Sequence, residues 1–457
     1  MKKITITKFV LSAAIGLGSL SNINAQESTA TPNEFVPSGG IWGVVFGDYA
    51  FKNANDSLQR GGGNVQYKGY SSLNSNNTTN AQSDGFQIRR AYLGYDYQIA
   101  PKVSTVLVLA NEQNLDASGK NTVYLKYANV KINDIFKGSD LVIGQLQTAA
   151  YSSAFNTSPL WGYRSVERTL LDQHNIDNST DLGVSLQGQI YDFKSAAEKP
   201  SFLGYVAQVG NGNGALPNGS NYKKVRLNLY GTFLSQSLTV GFYTDYSLLQ
   251  QSPYQKANTT LKAYVNYSTK RFKVGAEVFE QINEHSDKFV SDSATNYVYV
   301  NTKKLAVTYK NGVQAGLSVF ASAQILPEKL SAFARYDIYT PDLNFQKGVT
   351  YQSVASNIQG SNFSTATFYQ QNFITAGLDY SITPQLHVLP NVWYNGYTTT
   401  GYDSPELLTL AAGSSSKIVA NDRANSSTVK NNYDLVWRLT FSFVFNSTKN
   451  ISRNAIN

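Results

Sequence analysis

Between Thr148 and Thr180 the chain gathers Tyr151, Phe155, Trp161, Tyr163, Arg164, Glu167, Arg168, Asp172, His174 and Asp177. Arginines, carboxylates and aromatics in one loop suit two kinds of chemistry. At a narrow place walled by protein they focus an electrostatic field and sort passing solutes by charge and size. Laid against a wall, they pair off and fasten the loop instead. On the first reading Tyr163, Arg164, Glu167, Arg168 and Asp172 form a constriction, with Glu167 and Asp172 opposing the two arginines. On the second they are structural ion pairs. Spacing leaves both open.

Other chemistries find less support. Asp172-Gln173-His174 with Asp177 and Asp181 offers oxygen ligands of the kind calcium takes, but the spacing matches no calcium loop. Gly210-Asn211-Gly212-Asn213-Gly214 precedes no helix that could receive a phosphate, so it reads as a turn. The histidines are His174, His285 and His387, and no nucleophile elbow accompanies them. With 0 Cys there is no thiolate site and no disulfide. Neither an enzyme nor a cofactor is expected, and His387 reads as a lumen-side residue bonded to the wall.

The elements that would position such a loop are strands. Lys2, Lys3 and Lys8, the apolar run Phe9–Leu20 and Ile23-Asn24-Ala25 describe a secretory signal over residues 1–25. Its removal leaves 35 Lys+Arg against 30 Asp+Glu, too modest an excess to argue for nucleic acid. No mature segment is apolar for long enough to form a spanning helix. Charged residues make up 15%, while Tyr (31), Phe (23) and Gly (34) are abundant, which suits a large β protein with polar and aromatic faces. Residues 26–39 read as a linker with no plug domain, and 446–457 as a C-terminal tail. Between them, over 40–445, run sixteen amphipathic stretches from Gly40–Phe51 to Asn432–Phe445, each long enough to cross a bilayer at a tilt.

Two patterns decide among β architectures. In the closing stretch Tyr433, Leu435, Trp437, Leu439, Phe441, Phe443 and Phe445 share one face, while Asp434, Arg438, Thr440 and Ser442 share the other. Connections then alternate by length along the whole chain: Ile99–Pro101, Ser235-Gln236 and Thr383-Pro384 are short, whereas 52–84, 148–180, 341–370 and 398–431 are long. Such sorting is the mark of an outer-membrane barrel with short periplasmic turns and long extracellular loops. The fold class is therefore all-β, a transmembrane antiparallel barrel of about sixteen strands, wide enough for an aqueous channel. Whether Lys304–Tyr309 adds a strand or belongs to a tall hairpin stays open. Alternation turns Arg90, Lys126, Arg226, Arg335 and Arg438 inward as lumen-lining bases. Over the whole lumen, inward bases and acids nearly balance.

At Phe86-Gln87-Ile88-Arg89-Arg90-Ala91-Tyr92-Leu93-Gly94 the chain resembles the phosphate-selective porin O and P family. Similar stretches are Leu141–Gln145, Val166-Glu167-Arg168, Asp181–Val184, Phe333–Asp337, Phe373–Tyr380 and Pro390-Asn391-Val392. The resemblance covers roughly residues 40–445. It implies a sixteen-stranded general or anion-preferring porin, trimeric, with a loop folded into the pore. The chain departs from the family in continuing for twelve residues beyond Phe445. It also lacks the strong basic excess of the phosphate-selective members.

The expected protein is an outer-membrane porin passing small hydrophilic solutes or ions, anions such as phosphate among them. Its partners would be outer-membrane lipid, the solutes and two further copies in a homotrimer. A non-conducting barrel serving as adhesin or surface scaffold is the alternative. An open lumen would favour the first and a lumen packed shut the second.

Overall fold

The computed structural model describes residues 35–54, 83–112, 120–151, 161–193, 201–216, 222–250, 256–291, 297–300, 303–344, 370–398 and 433–446. The signal, most of the linker, Phe155 and the tail beyond Asn446 lie outside them. So do the side chain of His285 and much of the long connections.

Period-two alternation of large apolar with polar residues produces the strands. In chain order these are β1 (Ser38–Ala54), β2 (Ser83–Ala100), β3 (Val103–Asn111), β4 (Tyr124–Phe136), β5 (Ser139–Gln147) and β6 (Thr180–Phe193). Then come β7 (Ser201–Gly210), β8 (Lys224–Phe233), β9 (Leu238–Gln250), β10 (Lys256–Ser268), β11 (Phe272–Ser291) and β12 (Tyr297–Val300). The last five are β13 (Lys303–Leu326), β14 (Leu330–Thr340), β15 (Gln370–Thr383), β16 (Leu386–Thr398) and β17 (Tyr433–Asn446). Each neighbour pair is antiparallel. β1 pairs with both β2 and β17, so the sheet closes on itself. Closure removes the edges that an open sheet would leave with unpaired backbone groups.

Sixteen of these strands are staves of the wall. The four-residue β12 pairs with the upper end of β13. β11 and β13 run on past their neighbours, with Asp287–Ser291 still paired to Ala306–Lys310. Lys304–Tyr309 is thus the upper part of one long strand in a tall hairpin. The stretch read as a long loop over 283–311 is mostly ladder, with Asp287–Ser291 and Tyr297–Val300 both paired to β13.

Large apolar side chains ring the exterior: Leu93, Leu107, Val184, Phe242, Val265, Val278, Leu317, Ile374, Leu378 and Leu439 are all exposed. Charged and amide groups fill the interior, where Asp48, Arg90, Lys126, Arg226, Lys262, Glu277, Arg335 and Arg438 are all buried. Apolar outside and polar inside is the arrangement of a membrane-spanning barrel.

Aromatic rings cover much of the inner wall by lying across glycines of the next strand. Trp42 faces Gly94, Tyr230 faces Gly204, Tyr264 faces Gly241, Phe320 faces Gly275 and Phe333 faces Gly377, each a direct cross-strand pair. A Cβ at any of these glycines would run into the ring. A ring laid flat on the wall gives apolar surface for packing and takes little of the bore.

Candidate functional site

Between β5 and β6 the described residues 148–151 and 161–179 lie against inward-facing side chains of the barrel. The neck of this segment is tied where it leaves the wall: the Thr148 Oγ1 hydroxyl donates to the Asn178 carbonyl at 2.6 Å, and the Tyr151 hydroxyl to that of Asp177 at 2.8 Å. Its described parts reach both sides of the bore. On one side the Ala149 amide donates to Gln208 of β7 at 2.9 Å, and its carbonyl accepts from Asn228 of β8 at 3.1 Å. On the opposite side the Val166 carbonyl accepts from both Arg89 of β2 and Arg438 of β17, each at 3.0 Å.

Apolar residues press the segment onto the wall. Trp161 meets Phe320 and Phe333, with ring centroids 6.0 Å away in each case, and Tyr163 stacks on Phe333 at 4.4 Å. A single helical turn, α1 (Leu170–Gln173), buries Leu170 and Leu171 in a cluster with Val206, Tyr243 and Phe279. Burial of this kind is worth about 1.5–3 kcal/mol per leucine. The α1 amide of Leu170 donates to Glu277 of β11 at 3.3 Å, and the Arg168 carbonyl accepts from Arg335 of β14. His174 stacks on Tyr339 with centroids 3.6 Å apart.

Ion pairs complete the docking. Asp177 takes Arg226 Nε at 2.8 Å and Lys224 Nζ at 3.0 Å; Asp181 takes Arg226 Nη1 at 2.7 Å. Burial alone would raise the Asp177 carboxyl, but Arg226 and Lys224 outweigh it and hold it well below the usual carboxylate range. Asp48 receives Arg89 at 2.7 Å and also Arg438, whose guanidinium sits 3.8 Å from the centroid of Trp393. Arg335 pairs with Asp337, and Lys262 with Glu277 at 2.6 Å.

The segment leans to one side. The inward side chains of β7 and β8, from Phe202 to Gln208 and from Lys224 to Tyr230, are all buried beneath it or against one another. Along β2 and β4, by contrast, Tyr92, Asp96, Tyr124, Tyr127 and Asn129 are only half-buried. The charged groups that keep some water contact at this level gather there. Arg164, Arg168 and Asp172 retain 13%, 14% and 14% of their side-chain exposure and Glu112 16%, against 0% for Arg226 and Arg335.

The residues expected at a constriction therefore separate. Arg164 and Arg168 share Asp172, at 3.4 and 3.7 Å. Glu167 does not oppose them across a gap: it is fully buried, accepts from the Arg168 amide, and burial raises its carboxyl above the usual range. Tyr163 lies on the aromatic wall. Of the five lumen-side bases, Lys126 is held by Glu112 at 2.8 Å and Ser179 at 3.0 Å, and Arg226, Arg335 and Arg438 by the partners above. Arg90 is buried with no ion pair among the described residues. Asp172, His174, Asp177 and Asp181 diverge to different partners. Among the described residues no group of three or more His, Cys, Asp or Glu is placed to hold a metal ion. His387 Nδ1 lies 2.7 Å from Asp379.

Sequence reasoning passed over Arg89 and Asp48. Strict alternation would turn Arg89 toward lipid, but the register of β1 on β2 slips between Phe46 and Gly47, and the bulge brings both Arg89 and Arg90 inside. Two adjacent arginines in a membrane strand are themselves the signal for such a bulge. Asp48 falls in the inward row of β1 with Trp42, Val44 and Phe46, where alternation alone finds it.

No family model matches this chain, and no curated protein matches it in sequence. Solved structures match it in fold. The anion-selective porin from Comamonas acidovorans is 9% identical, with 90% of this chain and 100% of that one covered at a TM-score of 0.51. The outer membrane channel DcaP of Acinetobacter baumannii is 9% identical over 90% and 97% at a TM-score of 0.47. OmpT of Vibrio cholerae is 11% identical over 90% and 99% at 0.46. At such identities the first of these speaks for the fold alone. The chain has a porin-like barrel.

Proposed function

We propose that this protein is a pore of the Gram-negative outer membrane, exported by residues 1–25, through which small hydrophilic solutes diffuse passively. The observation that carries this reading is the lopsided seat of residues 148–151 and 161–179. They seal the β7–β8 side of the bore and leave the partly hydrated charges against β2–β4, so the passage runs along that wall. Four cations, Arg90, Lys126, Arg164 and Arg168, stand there with two carboxylates, Glu112 and Asp172. Field lines concentrate there between low-dielectric walls and favour small anions. The process involves no turnover. Assembly as a homotrimer in outer-membrane lipid belongs to the same proposal.

A non-conducting scaffold or adhesin is the second reading, and the sealed inner faces of β7 and β8 favour it. Planar-bilayer recording of the refolded protein under a salt gradient separates the two. Discrete open steps with a reversal potential of the anion-selective sign are expected. Correctly folded barrels that give no steps would sink the pore and leave the scaffold.

A further inference from the structure

The passage along β2–β4 has a second charged edge that the inward segment does not supply. Glu112 stands at the end of β3, where it accepts from the hydroxyl of Tyr92, from that of Tyr124 at 2.6 Å and from Lys126 Nζ at 2.8 Å. These three donors come from β2 and β4, the strands on either side of β3. One carboxylate therefore gathers groups from the stretch of wall where Tyr92, Tyr124 and Tyr127 are only half-buried. Lys126 in turn rests near the faces of Tyr92 and Tyr127, its ammonium 5.4 and 5.8 Å from their centroids. An ammonium held by a carboxylate and two rings is fixed in place, and most of its charge is matched locally.

From this geometry we infer that Glu112 is a specificity-determining residue of the pore: it cancels Lys126 and lowers the excess of positive charge in the passage. The inference rests on the pore reading given above. Glu112 is suited to the role because it stays ionised. Burial alone would raise its carboxyl, but Lys126, Arg90 and Arg168 outweigh that and hold it well below the usual range. A carboxylate in that condition is ionised at neutral pH. Asp172 performs the matching task on the other edge, between Arg164 and Arg168. The two acids set how far the four bases outweigh them. Removing Glu112 also leaves two phenols and the Lys126 ammonium, which still bonds to Ser179, without their shared carboxylate.

The test is the reversal potential of single open channels in a KCl gradient, recorded for the wild type, Glu112→Gln, Glu112→Asp and Lys126→Met. Glu112→Gln is expected to raise the anion-to-cation permeability ratio two- to fivefold. Lys126→Met is expected to lower it by a similar factor, and Glu112→Asp, which keeps the charge, to stay near the wild type. A purely structural role for Glu112 would move open-channel conductance and noise without separating the Gln variant from the Asp variant in permeability ratio. Conducting Glu112→Gln channels with the wild-type ratio overturn the inference and leave the pore reading standing. Should Glu112→Gln fail to fold, an unchanged ratio in Lys126→Met overturns it equally. A wild type that never opens overturns the pore reading, and this inference with it.

Discussion

Asp177 and Arg226 meet twice, Nε to Oδ2 at 2.8 Å and Nη2 to Oδ1 at 2.9 Å, joining the inward segment to β8 through a fully buried, two-pronged ion pair. Paired parallel bonds of this kind fix direction as well as distance, so the contact determines how the segment enters the bore.

Cutting that contact at one end should be costly. Asp177→Ala leaves Arg226 with only Asp181 and removes one carboxylate from Lys224, both in a buried setting. A loss of about 3–5 kcal/mol is expected. It would be read as a lower temperature of conversion from the folded to the unfolded band on a semi-native gel. Replacing the pair together, as Asp177→Leu with Arg226→Met, should cost less than the single change. Equal stability of Asp177→Ala and wild type would remove the pair from its anchoring role.

Acid should loosen the segment through a different residue. Burial, with Arg335 adding to it, pushes the His174 imidazole down to about 3 from its ordinary 6.5. A base depressed in the folded state contributes stability that is complete above its unfolded pKa and is lost as pH falls through the window from 6.5 toward 3. Asp177, a depressed acid, keeps its contribution above an unfolded pKa near 3.9 and loses it only in stronger acid. His174→Phe can still stack on Tyr339, and it should flatten the pH dependence of stability between 6.5 and 4. A slope identical to the wild type in that interval would assign the acid response elsewhere.

The glycine–ring pairs predict a local intolerance. Gly241→Val places a branched side chain where the Tyr264 ring now lies, and about 1–3 kcal/mol of overpacking is expected. Tyr264→Ala in the same chain should recover part of the loss. Additive costs in the double variant would show that the two residues are not coupled in this way.

Asp172 offers a change in selectivity with little change in fold. It retains some water contact and its two ion pairs are long, so Asp172→Asn should shift stability by roughly 0.5 kcal/mol or less. It should also move the reversal potential toward stronger anion preference, as the charges of Arg164 and Arg168 lose their shared counter-ion. A shift toward cations would place Asp172 away from the passage.

The sequence alone determined the wall. Alternation of period two is a local property, and each strand carries its own lipid face, as in Tyr433 to Phe445. Loop length sorted by parity then fixed the up-and-down order. It also marked Thr148–Thr180 as the chemically rich loop, because unpaired apolar and charged residues there had no strand to belong to. Tertiary structure decided who pairs with whom. Glu167 is adjacent to Arg168 and looks like its equal, yet only the seat of the segment against the wall buries one and leaves the other partly wet. Arg89 turns inward through a register slip between β1 and β2 that strict alternation does not show. Asp177 finds Arg226 across 49 positions of sequence. Such choices depend on where a closed sheet brings distant side chains together, and that closure has no local period to read.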